Sequence, residues 1–406
     1  MNVTGLRCVR CGAHYEEGAV EYTCPPCGIE GILDVEYDYE RVQWAPSAER
    51  SIWRYLPLLP VRGHLGVPSL QVGWTPVAEF PKLAARLGVG AFLVKDDGRL
   101  PTGSFKDRAS AVGTVKARER GRDIVACSST GNAASSLAGF CANQGLRAII
   151  FVPASAPEAK IAQLRAFGAR VLLVEGSYDQ AYYLCQQAVA EFGWYNRNCA
   201  VNPYLVEGKK TCGLEIGEQL AEAPPDVVAV AVGDGCTVAG IWKGLFEMHR
   251  LGVLPRLPRL LGVQAAGAAP LVDAFSRGAD ESAGIRKVKA QTLADSIAVG
   301  EPRNWRKALR AVRASGGAWV AVSDEAILEA SRDLAAATGI FAEPTGAAAL
   351  AGIRAAREQG TIGARDRVLH VVTGSGLKDV RGAALRAPEP TRIGVALEDV
   401  RRAWQS

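Results

Sequence analysis

The chain has 406 residues, 48% hydrophobic and 22% charged, and 47 Lys and Arg against 42 Asp and Glu leave a net charge of +5. A mean hydropathy of +0.05, with no apolar run near the roughly 18 residues that cross a bilayer, excludes helical membrane spans and a disordered chain. So dilute an excess of positive charge argues against a nucleic-acid partner but permits an anionic ligand, and the length suits two or three domains.

The first 40 residues read as a unit of their own. Four of the ten cysteines form two Cys-x-x-Cys knuckles, Cys8 with Cys11 and Cys24 with Cys27. Met1 to Cys8 lacks the apolar stretch of a secretory leader, so a cytoplasmic, reducing location is expected and a disulfide framework is not. Each knuckle offers two sulfurs from one tight turn, followed by Gly12 or Gly28, and the pair suits a tetrahedral, zinc-ribbon-like site. Four thiolates fill the metal's coordination, so the expected zinc is structural rather than catalytic, and in so small a unit it would supply much of the folding energy. Residues 32–37 should form a strand.

Residues 41–75 are a Trp- and Pro-rich connection with little periodicity. From residue 91, short apolar runs alternate with longer amphipathic ones. Strands are predicted over 92–95, 124–127, 147–152, 170–175, 227–232 and 368–372. Helices are predicted over 106–119, 133–143, 158–167, after Ser177 (with Gln180 completing a capping box), after Ser323, and over 344–358. The 227–232 run is continuously aliphatic between Pro225 and Gly233, as suits a parallel strand buried on both faces. The fold class is α/β with mostly parallel sheets. The charged tail after Arg386 reads as a solvated helix face.

Four segments carry the chemistry. Pro101-Thr102-Gly103-Ser104-Phe105-Lys106-Asp107-Arg108 places one lysine between a Gly/Ser turn and a helix start, just past a strand. That is the sheet edge where α/β folds bind ligands, and a partly desolvated amine there can form a Schiff base. Ser128-Ser129-Thr130-Gly131-Asn132, between strand and helix, offers hydroxyls and free N–H groups to a carboxylate. Gly233-Asp234-Gly235-Cys236-Thr237, after the aliphatic strand and opening a helix, can close backbone N–H groups on a phosphate. Thr373-Gly374-Ser375-Gly376 ends the last predicted strand.

In this order the four segments resemble the threonine synthase family, within the fold-type-II, tryptophan-synthase-β-like pyridoxal-phosphate enzymes, over roughly residues 70–380; the N-terminal ribbon resembles one that many members carry. The resemblance implies a two-lobed enzyme: a ribbon over 1–40, a large lobe over 41–120 and 205–406, and a small lobe over 121–204, with pyridoxal 5′-phosphate between the lobes. Lys106 would carry the cofactor and serve as general base. Asn132 would bond the cofactor's 3′-oxygen, and Ser129, Thr130 and Gly131 would hold the substrate α-carboxylate. Gly233, Asp234, Gly235, Cys236 and Thr237 would cradle the cofactor phosphate, and Thr373 would contact the pyridine nitrogen. A neutral hydroxyl there suits elimination and replacement at the β- and γ-carbons better than transamination. Glu343-Pro344-Thr345-Gly346 resembles another segment lining the family's site, and dimers are common in the family, so a homodimer is expected.

The chain departs from the family pattern where a phosphorylated substrate would bind. The family has an Asn-Ser pair before Val-Asn-Pro and an Arg two residues after that Pro; here these are Cys199, Ala200 and Leu205. Asp234 stands where a neutral Asn is usual. Losing a guanidinium and adding a carboxylate should weaken phosphate binding, unless Arg197, Lys209 or Lys210 compensates, and Leu205→Arg should restore it. The activity implied is O-phospho-L-homoserine plus water to L-threonine plus phosphate. The alternative is a lyase or β-replacement enzyme on a non-phosphorylated amino acid, of the serine/threonine dehydratase, diaminopropionate ammonia-lyase or cysteate synthase type. A catalytically silent interaction protein would have no need of Lys106, Asn132 and Thr373 together.

Overall fold

The computed structural model describes residues 2–64, 66–279 and 284–405. Among these residues, thirteen strands form three sheets. At the N-terminus, β1 (Val3–Cys8) pairs antiparallel with β2 (His14–Tyr15) and with β3 (Leu33–Tyr37). The central sheet has the order β12-β11-β10-β13-β5-β4, from Ala318–Val322, Arg259–Ala265, Val227–Ala231, Arg367–Val372, Ala91–Asp96 and Val77–Glu79 respectively. All its pairings are parallel except that of the edge strand β4. A second, wholly parallel sheet has the order β8-β7-β6-β9, from Arg170–Val174, Arg147–Pro153, Ile124–Ser128 and Tyr195–Asn196.

The aliphatic run that marks β10 as doubly buried is so: every residue is buried, and alternate side chains join two cores. Val227, Ala229 and Ala231 meet Phe92, Val94 and Val263 on one face; Val228 and Val230 meet Leu93, Ile241 and Leu309 on the other. Each face is covered by helices, as right-handed crossovers between parallel strands require. The helices Lys106–Glu119 and Pro344–Glu358 have the predicted bounds, and Ser177 and Gln180 make the predicted capping box. The 41–75 connection is more ordered than its pattern suggests. It carries a 3₁₀ segment, Ile52–Leu58, that buries Ile52, Trp53, Tyr55 and Leu58, a period-3 turn interrupted by Pro57 that neither strand nor α-helix templates detect. The helix Leu397–Gln405 is exposed along most of its length, as expected of a solvated tail.

Two further contacts position the site. Gly213 and Gly244 let the helices Tyr204–Gln219 and Cys236–Arg250 pack backbone to backbone, since a Cβ at Gly213 would strike Ile241 O and one at Gly244 would strike Lys210 O. The ribbon, meanwhile, is built into the body. Leu6, Cys8, Cys24, Leu33 and Val35 share a core with Val112, Phe140 and Tyr204. Asp34 pairs with Lys243 and Lys307 at 3.3 and 3.0 Å, and Tyr37 donates to Glu207 at 2.7 Å.

Candidate active site

The four sequence segments follow the C-terminal ends of β5, β6, β10 and β13 and converge on one cavity of about 780 Å³. Lys106, Ser129, Thr130, Gly131, Asn132, Gly233, Asp234, Gly235, Cys236, Thr237 and Thr373 all line it. The convergence follows from parallel topology, which delivers every strand's outgoing loop to the same sheet edge.

The lysine segment is held rigidly by its neighbours in sequence. Asp107 accepts the Thr102 N–H at 2.7 Å and the Thr102 hydroxyl at 2.5 Å, closing the turn before Lys106. Arg108 is fully buried and binds Asp97 through Nε at 2.6 Å and Glu215 through Nη1 at 2.5 Å, while Lys95 also binds Glu215 at 2.7 Å. This buried network fastens the helix start to the end of β5, and losing one partner would strand a charge at a cost of about 3–5 kcal/mol. Phe105 N–H donates to Thr373 O and Ser375 N–H to Gly103 O, both at 2.9 Å, so the lysine turn and the end of β13 are zipped together. Burial, reinforced by the nearby Lys209 charge, lowers the Lys106 pKa from its ordinary value and favours the neutral amine.

Around that amine, Asn132 directs its amide nitrogen at both oxygens of Glu343, at 2.9 and 3.1 Å, and at Ser296 Oγ at 3.3 Å. Burial raises the Glu343 pKa, opposed by Asn132 and by the Lys106 charge. Gly131 N–H donates to Ser129 Oγ at 3.2 Å. The hydroxyls of Ser128 and Thr373 are buried and without a partner among the described residues. Gly235 has φ +92°, and a Cβ on it would lie 2.8 Å from Ala308 Cβ, so only glycine fits where the loop turns into the helix Cys236–Arg250.

Three expectations about charge need correction. Leu205 is not part of the cavity wall: it is fully buried on the Tyr204–Gln219 helix and packs against Gly113 of the Lys106–Glu119 helix. An Arg at 205 would therefore be buried between helices rather than aimed at a ligand. Lys210 is also turned away, paired in the interior with Glu207 and Glu247 at 2.6 and 3.1 Å. Asp234 does line the cavity, but its Oδ1 accepts the Arg303 N–H at 3.0 Å. Burial, with the Cys199 charge next, raises its pKa and the Arg303 charge opposes this. Its carboxylate is thus committed to holding the 303 segment.

The cations that face the cavity are Arg197 and Lys209, both buried, with Arg303, Lys160, Lys287 and Lys289 nearer the opening. Arg303 was not legible in the sequence, because nothing local in Glu301-Pro302-Arg303-Asn304 signals its approach to a loop 69 residues away. The four ribbon cysteines do come together: their sulfurs all lie within 4.8 Å of one another, with Cys11 Sγ 3.6 Å from Cys24 Sγ. That spacing fits one tetrahedral ion with metal–sulfur distances near 2.3 Å.

Residues 68–374 match the family model described as pyridoxal-phosphate dependent enzyme. The chain is 39% identical to threonine synthase of Methanocaldococcus jannaschii over 98% of both chains, and 38% identical to threonine synthase of Methanosarcina acetivorans, again over 98% of both. The chain belongs to the threonine synthase family. Among solved structures it resembles a processed threonine deaminase isoform from Solanum lycopersicum, with 25% identity, a TM-score of 0.65, and coverage of 76% of this chain and 83% of that one. Membership of the threonine synthase family implies pyridoxal 5′-phosphate, and the cavity fits that group. It presents one buried amine with a lowered pKa, an orphaned hydroxyl at Thr373, and a glycine-bearing helix N-terminus suited to a phosphate.

Proposed function

We propose that this chain converts O-phospho-L-homoserine and water into L-threonine and phosphate, with zinc held structurally by Cys8, Cys11, Cys24 and Cys27. The observation that carries the phosphorylated substrate is Arg197. Its guanidinium is buried at the cavity wall, and its hydrogen bonds among the described residues go only to the Ser110 hydroxyl, at 3.3 and 3.1 Å. A buried guanidinium without a carboxylate is costly unless an anion completes it, and its fork suits a phosphate. Lys209 adds a second buried cation beside it, so the cavity holds the charge that Leu205 lacks.

When bound, pyridoxal 5′-phosphate supplies an electron sink for charge developing at the substrate's α-carbon. Lys106, whose pKa burial lowers, takes the α-proton and redistributes protons during loss of phosphate and addition of water at the β-carbon. Ser129, Thr130 and Gly131 would hold the α-carboxylate. Asn132, oriented by Glu343, would hold the cofactor's 3′-oxygen, and Thr373 would hold its ring nitrogen. The 233–237 loop cradles its phosphate, and Arg197 with Lys209 binds and then stabilises the departing phosphate.

Incubation of the purified holoenzyme with O-phospho-L-homoserine tests this reading: phosphate and threonine should form in equal amounts. No phosphate, with ammonia released from serine, threonine or diaminopropionate instead, would replace it with the lyase alternative.

A further inference from the structure

The cavity wall holds a sulfur pair that this chemistry does not use. Cys199 follows β9 and is partly exposed to the cavity. The next residue, Ala200, has φ +63°, a left-handed conformation costly for a side chain with a Cβ. Cys199 Sγ lies 2.9 Å from Lys209 Nζ, and this is the only hydrogen bond of that buried amine among the described residues. Against Cys199 sits Cys236, the first residue of the helix that leaves the glycine loop; the two pack in one cluster with Val9, Ile32 and Val206. The neighbouring Cys236 side chain and, against burial, the Lys209 charge push the Cys199 pKa well below its ordinary value, whereas the Cys199 contact and burial raise that of Cys236. The ammonium 2.9 Å away thus favours the thiolate at Cys199, and burial favours the protonated thiol at Cys236. That asymmetry suits an attacking and a resolving cysteine.

We propose that Cys199 and Cys236 form an oxidation site, in which hydrogen peroxide converts the pair to a disulfide that clasps the cofactor loop. The Cys199 thiolate attacks one peroxide oxygen; the S–O bond forms, the O–O bond breaks, and the other oxygen leaves as water after taking a proton. The Cys236 thiol then attacks the Cys199 sulfur, the S–S bond forms, and hydroxide leaves with the Cys236 proton as a second water. Two thiols and one peroxide become one disulfide and two waters. Lys209 loses its thiolate partner, and the loop gains a covalent tie to the 199 segment. The site rests on this geometry alone and is independent of which amino acid the enzyme consumes.

The test treats the full-length holoenzyme with hydrogen peroxide, blocks remaining thiols and maps peptides by mass spectrometry. A linked 199–236 peptide should accumulate before Cys127 or Cys141 is modified, and reductant should reverse it. Cys236→Ser should stall Cys199 as a sulfenic acid that a dimedone probe captures. Lys209→Met should slow alkylation of Cys199 near neutral pH by about tenfold or more, the ratio expected when a thiolate reverts to an ordinary thiol. The proposal is overturned if Cys199 in the wild-type holoenzyme is no more reactive than Cys127, or if it oxidises to sulfinic acid without linking to Cys236. The wild-type peptide map decides even where a variant fails to fold.

Discussion

Leu205→Arg should destabilise the protein rather than improve its grip on a phosphorylated substrate. Leu205 has no exposed surface, and its Cδ2 lies 2.8 Å from where a Cβ at Gly113 would sit. Removing the leucine forfeits about 2–3 kcal/mol of apolar burial. The guanidinium that replaces it must enter a helix–helix contact, where an uncompensated charge costs several kcal/mol more. Together these come to at least about 5 kcal/mol, comparable with the whole stability of many domains. Chemical denaturation followed by circular dichroism should show a large fall in midpoint, or the variant should be insoluble, and KM for O-phospho-L-homoserine should not improve in any soluble fraction. A variant of unchanged midpoint with a lowered KM would refute the assignment of Leu205 to the interior and return it to the phosphate pocket.

His370 should make the fold acid-sensitive. It is buried on β13, its ring Nε2 donates to Gly346 O at 2.8 Å, and burial, opposed by that carbonyl, lowers its pKa to about 4 from 6.5. The unfolded chain therefore binds the proton first, and stability is lost as pH falls from about 6.5 toward about 4. Urea titrations at about pH 7 and about pH 4.5 should differ by about 2–3 kcal/mol from this group, and His370→Gln should flatten the difference. Gly235→Ala, which sets a methyl against Ala308 at a positive φ, should cost the protein its bound cofactor, read as loss of visible absorbance after gel filtration. Lys106→Ala should abolish threonine formation and leave borohydride nothing to fix at that position. Chelation at raised temperature should release about one zinc per chain and lower Tm, whereas retention of Tm after complete metal loss would remove zinc from the folding argument.

What the sequence discloses here is what local chemistry determines. Pro344 at a helix start and Gly121 after a helix end act within a turn or two, so those boundaries are readable. The lysine segment is readable because its own Asp107 and Arg108 hold it. Pairings set by topology are not. Asn132 meets Glu343 across 211 residues, Asp234 meets Arg303 across 69, and no periodicity encodes either. Leu205 shows the opposite error: counting from Pro203 fixes a position along the helix but not whether its side chain faces a ligand or Gly113. Cys199 and Lys209, ten residues apart, acquire meaning only when the chain before the Tyr204–Gln219 helix folds one onto the other at 2.9 Å.

The way the ribbon is stitched into the body also bears on the order of assembly. Asp34 lies 273 residues ahead of Lys307, and Val9, whose carbonyl accepts from Arg310, lies 301 residues ahead of it. During synthesis the knuckles precede all these partners: their inner face gains Val112, Phe140 and Tyr204 by the middle of the chain, but Lys307 and Arg310 only when three quarters of it has been made. Until the segment that ends at Glu207 follows, a metal-closed ribbon would present Leu33, Val35 and Tyr37 to whatever is nearby, a stretch prone to wrong partners. Metal uptake and the last docking contacts would then be separable events, and growth without zinc should leave the ribbon misassembled against the body.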